Sequence, residues 1–213
     1  MNNKYYSEAT GVEIVTPKDV IFHEQESLIS RLRNVKLRGS DETPYKPCII
    51  SAATIDVLNE YNSPYLHGPI YPAQSYVLRR NLDGIMTLEY WLRETHCKSL
   101  FAMNGWIEFK YKDGSSSALL PPIIEKYSGI SQTLHRGPVD LVCDGMHRMY
   151  LAYCMMQEIS VVIIDSPSPA YYSYPMQQGW NGVKEIETLT ANYRKKFYRY
   201  SSYKTYYRDF NTA

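Results

Sequence analysis

Five consecutive residues, Asp144-Gly145-Met146-His147-Arg148, bring a carboxylate, a glycine, an imidazole and a guanidinium to one turn. They follow the apolar run 139–143 and open a stretch, 147–157, long enough for three helical turns. A helix that begins directly after a tight turn has unpaired backbone N–H groups and a partial positive charge at its start, so it draws anions. His147 and Arg148 add side-chain donors, and an arginine fork matches phosphate or carboxylate oxygens. Gly145 would let a ligand approach the backbone. Three roles are open to Asp144: capping the helix, holding His147 in one tautomer, or accepting a substrate proton. Each residue alone is explained as well by capping, turn-making or solvation. Together, at the end of a buried strand, they point to an anion-binding functional site.

The elements that must position this turn are legible in part. The β-branched run 159–164 (ISVVII) follows the helix, so the pattern is strand, turn, helix, strand, and such a crossover predicts two parallel strands. Upstream, residues 12–16 (VEIVT) alternate as a short strand, and 22–35 carries Leu28, Leu32 and Val35 at helical spacing. Pro47-Cys48-Ile49-Ile50 reads as the start of a buried strand. Residues 75–94 return to helical spacing despite Gly84, and 101–111 form a strand that enters a hairpin at Lys112-Asp113-Gly114. Its return, 118–125, is confined to an edge or broken by Pro121-Pro122. A proline-punctuated linker after Asp165 leads to a helix predicted over 183–198. On that linker Tyr174, Pro175 and Trp180 form either a pocket wall or, preferably, a hydrophobic anchor for the tail.

Composition bounds the rest. A chain of 213 residues with 44% hydrophobic content supports one substantial core with decorations. The longest apolar stretch, 159–164, is far too short for a bilayer, and 1–11 lacks an apolar signal core, so a soluble, cytoplasmic protein without membrane partners is expected. Its four cysteines, Cys48, Cys97, Cys143 and Cys154, include no CxxC pair, which favours reduced thiols over a disulfide framework. Zinc at Cys143 with His147, or at His96 with Cys97, lacks a second ligand pair, so no metal site is assigned. The net charge of +1 hides a division. Residues 190–213 carry +5 and leave −4 on the body.

The stretch Leu141-Val142-Cys143-Asp144-Gly145-Met146-His147-Arg148-Met149-Tyr150-Leu151-Ala152, with 159–164 behind it, resembles the signature of the ParB/sulfiredoxin superfamily. There an apolar strand runs into a D-G-x-H-R or G-x-x-R turn and an alanine-containing helix. The N-terminal helix followed by Lys46-Pro47-Cys48-Ile49-Ile50, or by Pro121-Pro122-Ile123-Ile124, is similar to that family's opening helix and P-I-x-V strand. The resemblance is specific over about 25 residues and looser elsewhere. It implies an α/β fold with an α+β tendency: a compact mixed sheet with helices over 12–165, a helical insertion at about 61–101, and a C-terminal extension over 166–213.

The turn sorts the chemistries of that superfamily. Sulfiredoxins place a catalytic cysteine where this chain has Met146, which cannot act as the nucleophile. Chromosome-partition ParB proteins bind CTP and carry a helix-turn-helix, for which no pattern stands out here. Free serine kinases of this fold are the most similar in motif. That similarity implies phosphate contacts from Gly145, Met146, His147 and Arg148, with Asp144 orienting the site or assisting a metal. Catalytic roles fall to Asp144, His147 and an acidic partner, Glu24 or alternatively Glu26, although the helix dipole alone also favours a glutamate in a first turn. The implied activity is phosphotransfer or NTP hydrolysis with ATP, ADP or CTP and Mg²⁺, on a small-molecule acceptor the sequence does not name. The alternative is a ParB-like regulatory or nucleic-acid-binding module, with nuclease activity as a third reading.

The tail enters that alternative directly. Residues 193–210 interleave rings with Arg194, Lys195, Lys196, Arg199, Lys204 and Arg208, a pattern suited to stacking on bases and neutralising phosphates. Its rings could equally pack on the acidic body, or the tail could fold over the DGMHR turn as a lid.

Overall fold

A computed structural model describes residues 4–34, 47–53, 70–127, 139–165 and 178–190. The chain opens with an antiparallel hairpin of β1 (Lys4–Ser7) and β2 (Val12–Val15). Strand β3 (Asp19–Glu24) follows and runs straight into helix α1 (Gln25–Asn34). After β4 (Pro47–Ala53), β5 (Ile70–Pro72) and β6 (Tyr76–Leu78) comes the long helix α2 (Arg79–His96). Then follow β7 (Gly105–Lys110), β8 (Ser116–Leu119), β9 (Ile123–Tyr127), β10 (Val139–Asp144), helix α3 (Met146–Cys154) and β11 (Ile159–Asp165). A 3₁₀ turn, Gly179–Gly182, and β12 (Lys184–Ile186) complete it.

The fold is mixed α/β, as read from the sequence. Its main sheet has five strands in the order β4-β11-β9-β10-β5. A three-stranded antiparallel sheet, β3-β7-β8, stands apart from it, and β6 pairs in parallel with β12. Helix α2 packs into two cores. Leu82 joins Val77, Ile124, Met149 and Trp180 beneath the five-stranded sheet, while Trp91 and Leu92 join Ile107 and Phe109 of the three-stranded one. Burying each large side chain contributes roughly 1.5–3 kcal/mol, so α2 is the joint that binds both sheets. A buried carboxylate fixes its exit: Glu89, 1% exposed, accepts from the Leu100 N–H (2.6 Å), the Ser99 hydroxyl (2.7 Å) and Arg93.

Several sequence expectations need correction. The helix predicted over 22–35 begins only at Gln25, because Phe22, His23 and Glu24 complete a six-residue ladder with β7. The helix predicted over 75–94 begins at Arg79, since Tyr76, Val77 and Leu78 pair with β12 and Val77 enters the core. Strands β10 and β11 are neither neighbours nor parallel. The fully buried Ile123 and Ile124 of β9 take the centre between them, antiparallel to β10 and parallel to β11; β10 runs parallel only to β5. Pro121-Pro122 breaks the hairpin return, as one of the two readings held, and sends β8 and β9 into different sheets. The helix predicted over 183–198 is replaced, as far as Thr190, by β12 and bends. Its helix-forming residues yield to the ladder with β6 and to Trp180, which is buried, stacks on Tyr153, and donates from Nε1 to the Ile70 carbonyl (2.9 Å). That is an anchor, while Tyr174 and Pro175 lie outside the described residues.

Candidate functional site

The DGMHR turn is built by its own glycine and by the Pro121-Pro122 crossover. Gly145 is the N-cap of α3 in the left-handed region, with φ 76° and ψ 23°. A Cβ there would stand 2.8 Å from Pro122 Cβ and 2.9 Å from its Cα, so the backbone brought close at this glycine is that of Pro122. Asp144 is not the cap, for no side chain caps α3. It closes β10 half-buried, and its charge acts on Arg148.

Met146 is buried at 8% exposure within the main core. His147 Nε2 accepts the Leu78 backbone N–H at 3.0 Å, with Asn81 Nδ2 at 3.4 Å. An imidazole nitrogen that accepts an amide proton carries none of its own, so His147 is held neutral with its proton on Nδ1. Arg148 turns inward. It is 6% exposed, Nη1 donates to the Leu120 carbonyl at 2.5 Å, and burial pushes the guanidinium down to about 10 against the opposing pull of Asp144. The side chains of Met146 and Arg148 are therefore engaged in the interior, while Asp144 and His147 are half-buried.

The start of α3 meets a second helix start through His147. Leu78 is the N-cap of α2, again without a side-chain cap, and neither helix has an acidic residue in its first turn. The first N–H groups of both helices lack helical acceptors, and His147 ties the two ends together through Leu78. Arg79, Arg80 and Asn81 open α2 there, exposed. Cations at a helix N-terminus oppose its dipole, which makes this placement notable. Arg79 is offset by Glu185 (2.9 Å) and Glu187 (3.0 Å) on and after β12. Sequence reasoning missed these three residues because it placed them inside the helix. A boundary drawn at Leu78 would have put two arginines at its electropositive end.

The remaining candidates stand elsewhere. Glu24 ends β3, exposed and in register with Gly105 of the three-stranded sheet; among the described residues no hydrogen bond or ion pair joins it to the turn. Glu26 lies exposed in the first turn of α1. Arg194, Lys195, Lys196 and Arg199 lie outside the described residues, as does the Cys143 side chain. Among the described residues no group of three His, Cys, Asp or Glu side chains stands together as a metal site, and no helix is long and apolar enough to cross a membrane.

Comparison with curated proteins and with solved structures finds no significant match. The family model described as the ParB CE domain matches residues 27–184, from α1 through the first residue of β12. This match includes the DGMHR turn, both helix starts and the whole five-stranded sheet. It covers well over half of the chain, which therefore belongs to the ParB CE domain family.

Proposed function

We propose that this chain is a nucleotide-binding ParB-like module that holds phosphates where the N-termini of α2 and α3 meet. One observation carries the reading: two uncapped, acid-free helix starts are joined by the His147–Leu78 hydrogen bond. A helix start offers N–H groups without helical acceptors and partial positive charge, and Arg79, Arg80 and Asn81 add side-chain donors. Asp144, at the edge of that junction, is the carboxylate placed to orient the site or to share Mg²⁺ with a bound ATP, ADP or CTP. The finer reading is phosphotransfer or NTP hydrolysis, in which positioning and charge stabilisation do most of the work.

Thermal-shift and calorimetric titration with ATP, ADP and CTP, with and without Mg²⁺, tests it. The expected result is a stabilising shift with at least one nucleotide, weakened about tenfold in affinity by Arg80→Met with the fold unchanged. Arg148 is a poor probe, since its removal strips a donor from a buried carbonyl. No shift with any nucleotide, or equal affinity in Arg80→Met, would sink the proposal. The +5 charge of residues 190–213 favours a second reading, nucleic-acid binding. It requires salt-dependent affinity for an oligonucleotide that disappears on truncation after Leu189.

A further inference from the structure

The parallel ladder of β6 and β12 carries two carboxylates to the start of α2. Ile186 pairs with Leu78, the last residue before that helix, so Glu187 follows level with Arg79. Strand alternation puts Glu185 on the same side as Glu187. Both take hold of one guanidinium. Arg79 Nη2 lies 2.9 Å from Glu185 Oε2, and Arg79 Nε lies 3.0 Å from Glu187 Oε1.

Nε and Nη2 lie along one edge of a guanidinium, the edge that grips two oxygens of a single phosphate or carboxylate in a planar fork. In Arg79 that fork is divided, with one oxygen coming from each glutamate. Two carboxylate oxygens thus stand where a phosphate would present two of its own. Glu185 also reaches the second helix, for its Oε1 accepts from the Tyr150 hydroxyl of α3 at 3.3 Å. The same side chain therefore spans both helices of the junction. The first turn of α2 has no acidic residue and no side-chain cap of its own, and β12 brings to it the negative charge that a helix start favours.

We propose that Glu185 and Glu187 are an internal phosphate mimic: they occupy the Arg79 fork, and a nucleotide phosphate enters the junction by displacing them. This rests on the nucleotide-binding reading and adds to it a regulatory element, the end of β12, which must release Arg79 before the site is complete. The base of that segment stays fixed. Trp180 and Val183 are buried, and the Lys184 N–H donates to the Ser75 carbonyl at 3.0 Å. Release therefore involves the two glutamate side chains and the exposed residues 187–190.

The strength of the pairs suits release. The side chains of Arg79, Glu185 and Glu187 are 54%, 34% and 74% exposed, so water and salt screen them. Exposed ion pairs of this kind each shift an equilibrium by about 1.5- to fivefold. A fork held by two of them is open in only a fraction of the molecules, and the apparent affinity for phosphate falls by that fraction, about three- to tenfold.

Calorimetric titration of the full chain with ATP, ADP and CTP, and with inorganic tripolyphosphate as a probe without a base, tests the mimic in Glu185→Gln/Glu187→Gln. Affinity is expected to rise about three- to tenfold over the wild type. Should the paired substitution lower the Tm, Glu187→Gln alone reads the same gain at smaller size. Repeating the substitutions in Arg79→Met separates competition for the fork from a general loss of negative charge. A mimic acts through Arg79, so the gain should vanish in that background, and a gain of the same size there overturns the proposal. If Arg79→Met abolishes binding, a gain in the parent background supports the mimic, since the anion then depends on the side chain that the glutamates hold. Wild-type binding without any gain in the glutamine variants refutes the mimic alone and leaves nucleotide binding standing. No binding by either protein refutes both.

Discussion

Gly145→Ala separates the two reasons for glycine at the DGMHR turn. At φ 76° an alanine is strained by about 1–2 kcal/mol relative to glycine. The added Cβ would also lie 2.8 and 2.9 Å from Pro122 Cβ and Cα, closer than real contacts allow. Pro122 cannot yield easily, since its carbonyl accepts the Val162 N–H at 2.8 Å in the central ladder. Overpacking of this kind adds about 1–3 kcal/mol, for a total near 3 kcal/mol and, in a chain of this size, a Tm lower by about 6–12 °C. Gly11 is the internal control. It has a similar φ of 67° with nothing within 4 Å of its ideal Cβ, so Gly11→Ala reads the backbone strain alone. Urea denaturation of both variants, with m unchanged, gives the packing contribution as their difference. If Gly145→Ala is no less stable than Gly11→Ala, the close approach of Pro122 does not hold the turn and the reasoning fails.

Other outcomes follow from the same geometry. Gly84 sits mid-helix in α2 with open space where a Cβ would go, so Gly84→Ala should raise stability by about 1 kcal/mol in urea unfolding. Met156, 88% exposed at φ 50°, holds the left-handed position after α3 that glycine fills best, and Met156→Gly should stabilise by about 0.5–1 kcal/mol. The hydrogen bond from His23, with help from Lys110, holds the Glu108 carboxyl below its ordinary value of 4.5. A depressed folded-state value means stability present above the ordinary carboxylate range and lost as pH falls through the folded value. Glu108→Gln should therefore cost about 1 kcal/mol at pH 7 and progressively less below pH 4, as chemical unfolding across that range would show.

The sequence was most informative where one local signal met no rival. The β-branched run that became β11 and the Asp144-Gly145 turn carry their structure in adjacent residues, and both stand where they were expected. Boundaries failed where a ladder competed with a helical period. The spacing of Leu28 and Leu32 extends backward onto Phe22 without contradiction, and only pairing with β7 makes Phe22 part of a strand. Lys184, Glu185 and Ile186 are helix formers taken into a parallel pair by β6. Strand order was illegible for a further reason. Nothing near β10 or β11 records that β9 lies between them, because that placement follows from Pro121-Pro122 redirecting the chain between sheets.

The same logic divides the labour within the candidate site. A motif read from sequence assigns each polar residue to a ligand, yet a turn under this much constraint uses its side chains to exist at all. Gly145 makes room for Pro122, Arg148 satisfies the Leu120 carbonyl, and His147 satisfies the Leu78 N–H. A buried guanidinium that donates to a main-chain carbonyl would leave that carbonyl orphaned if it swung outward, at a cost of about 1–3 kcal/mol. Arg80, exposed at the start of α2, has no such tether among the described residues. Arg80 meets an anion by rotating a solvated side chain, whereas Arg148 would have to dismantle the crossover first. If phosphates bind here, the DGMHR residues shape the site, and the exposed first turn of α2 supplies the side chains that reach into it.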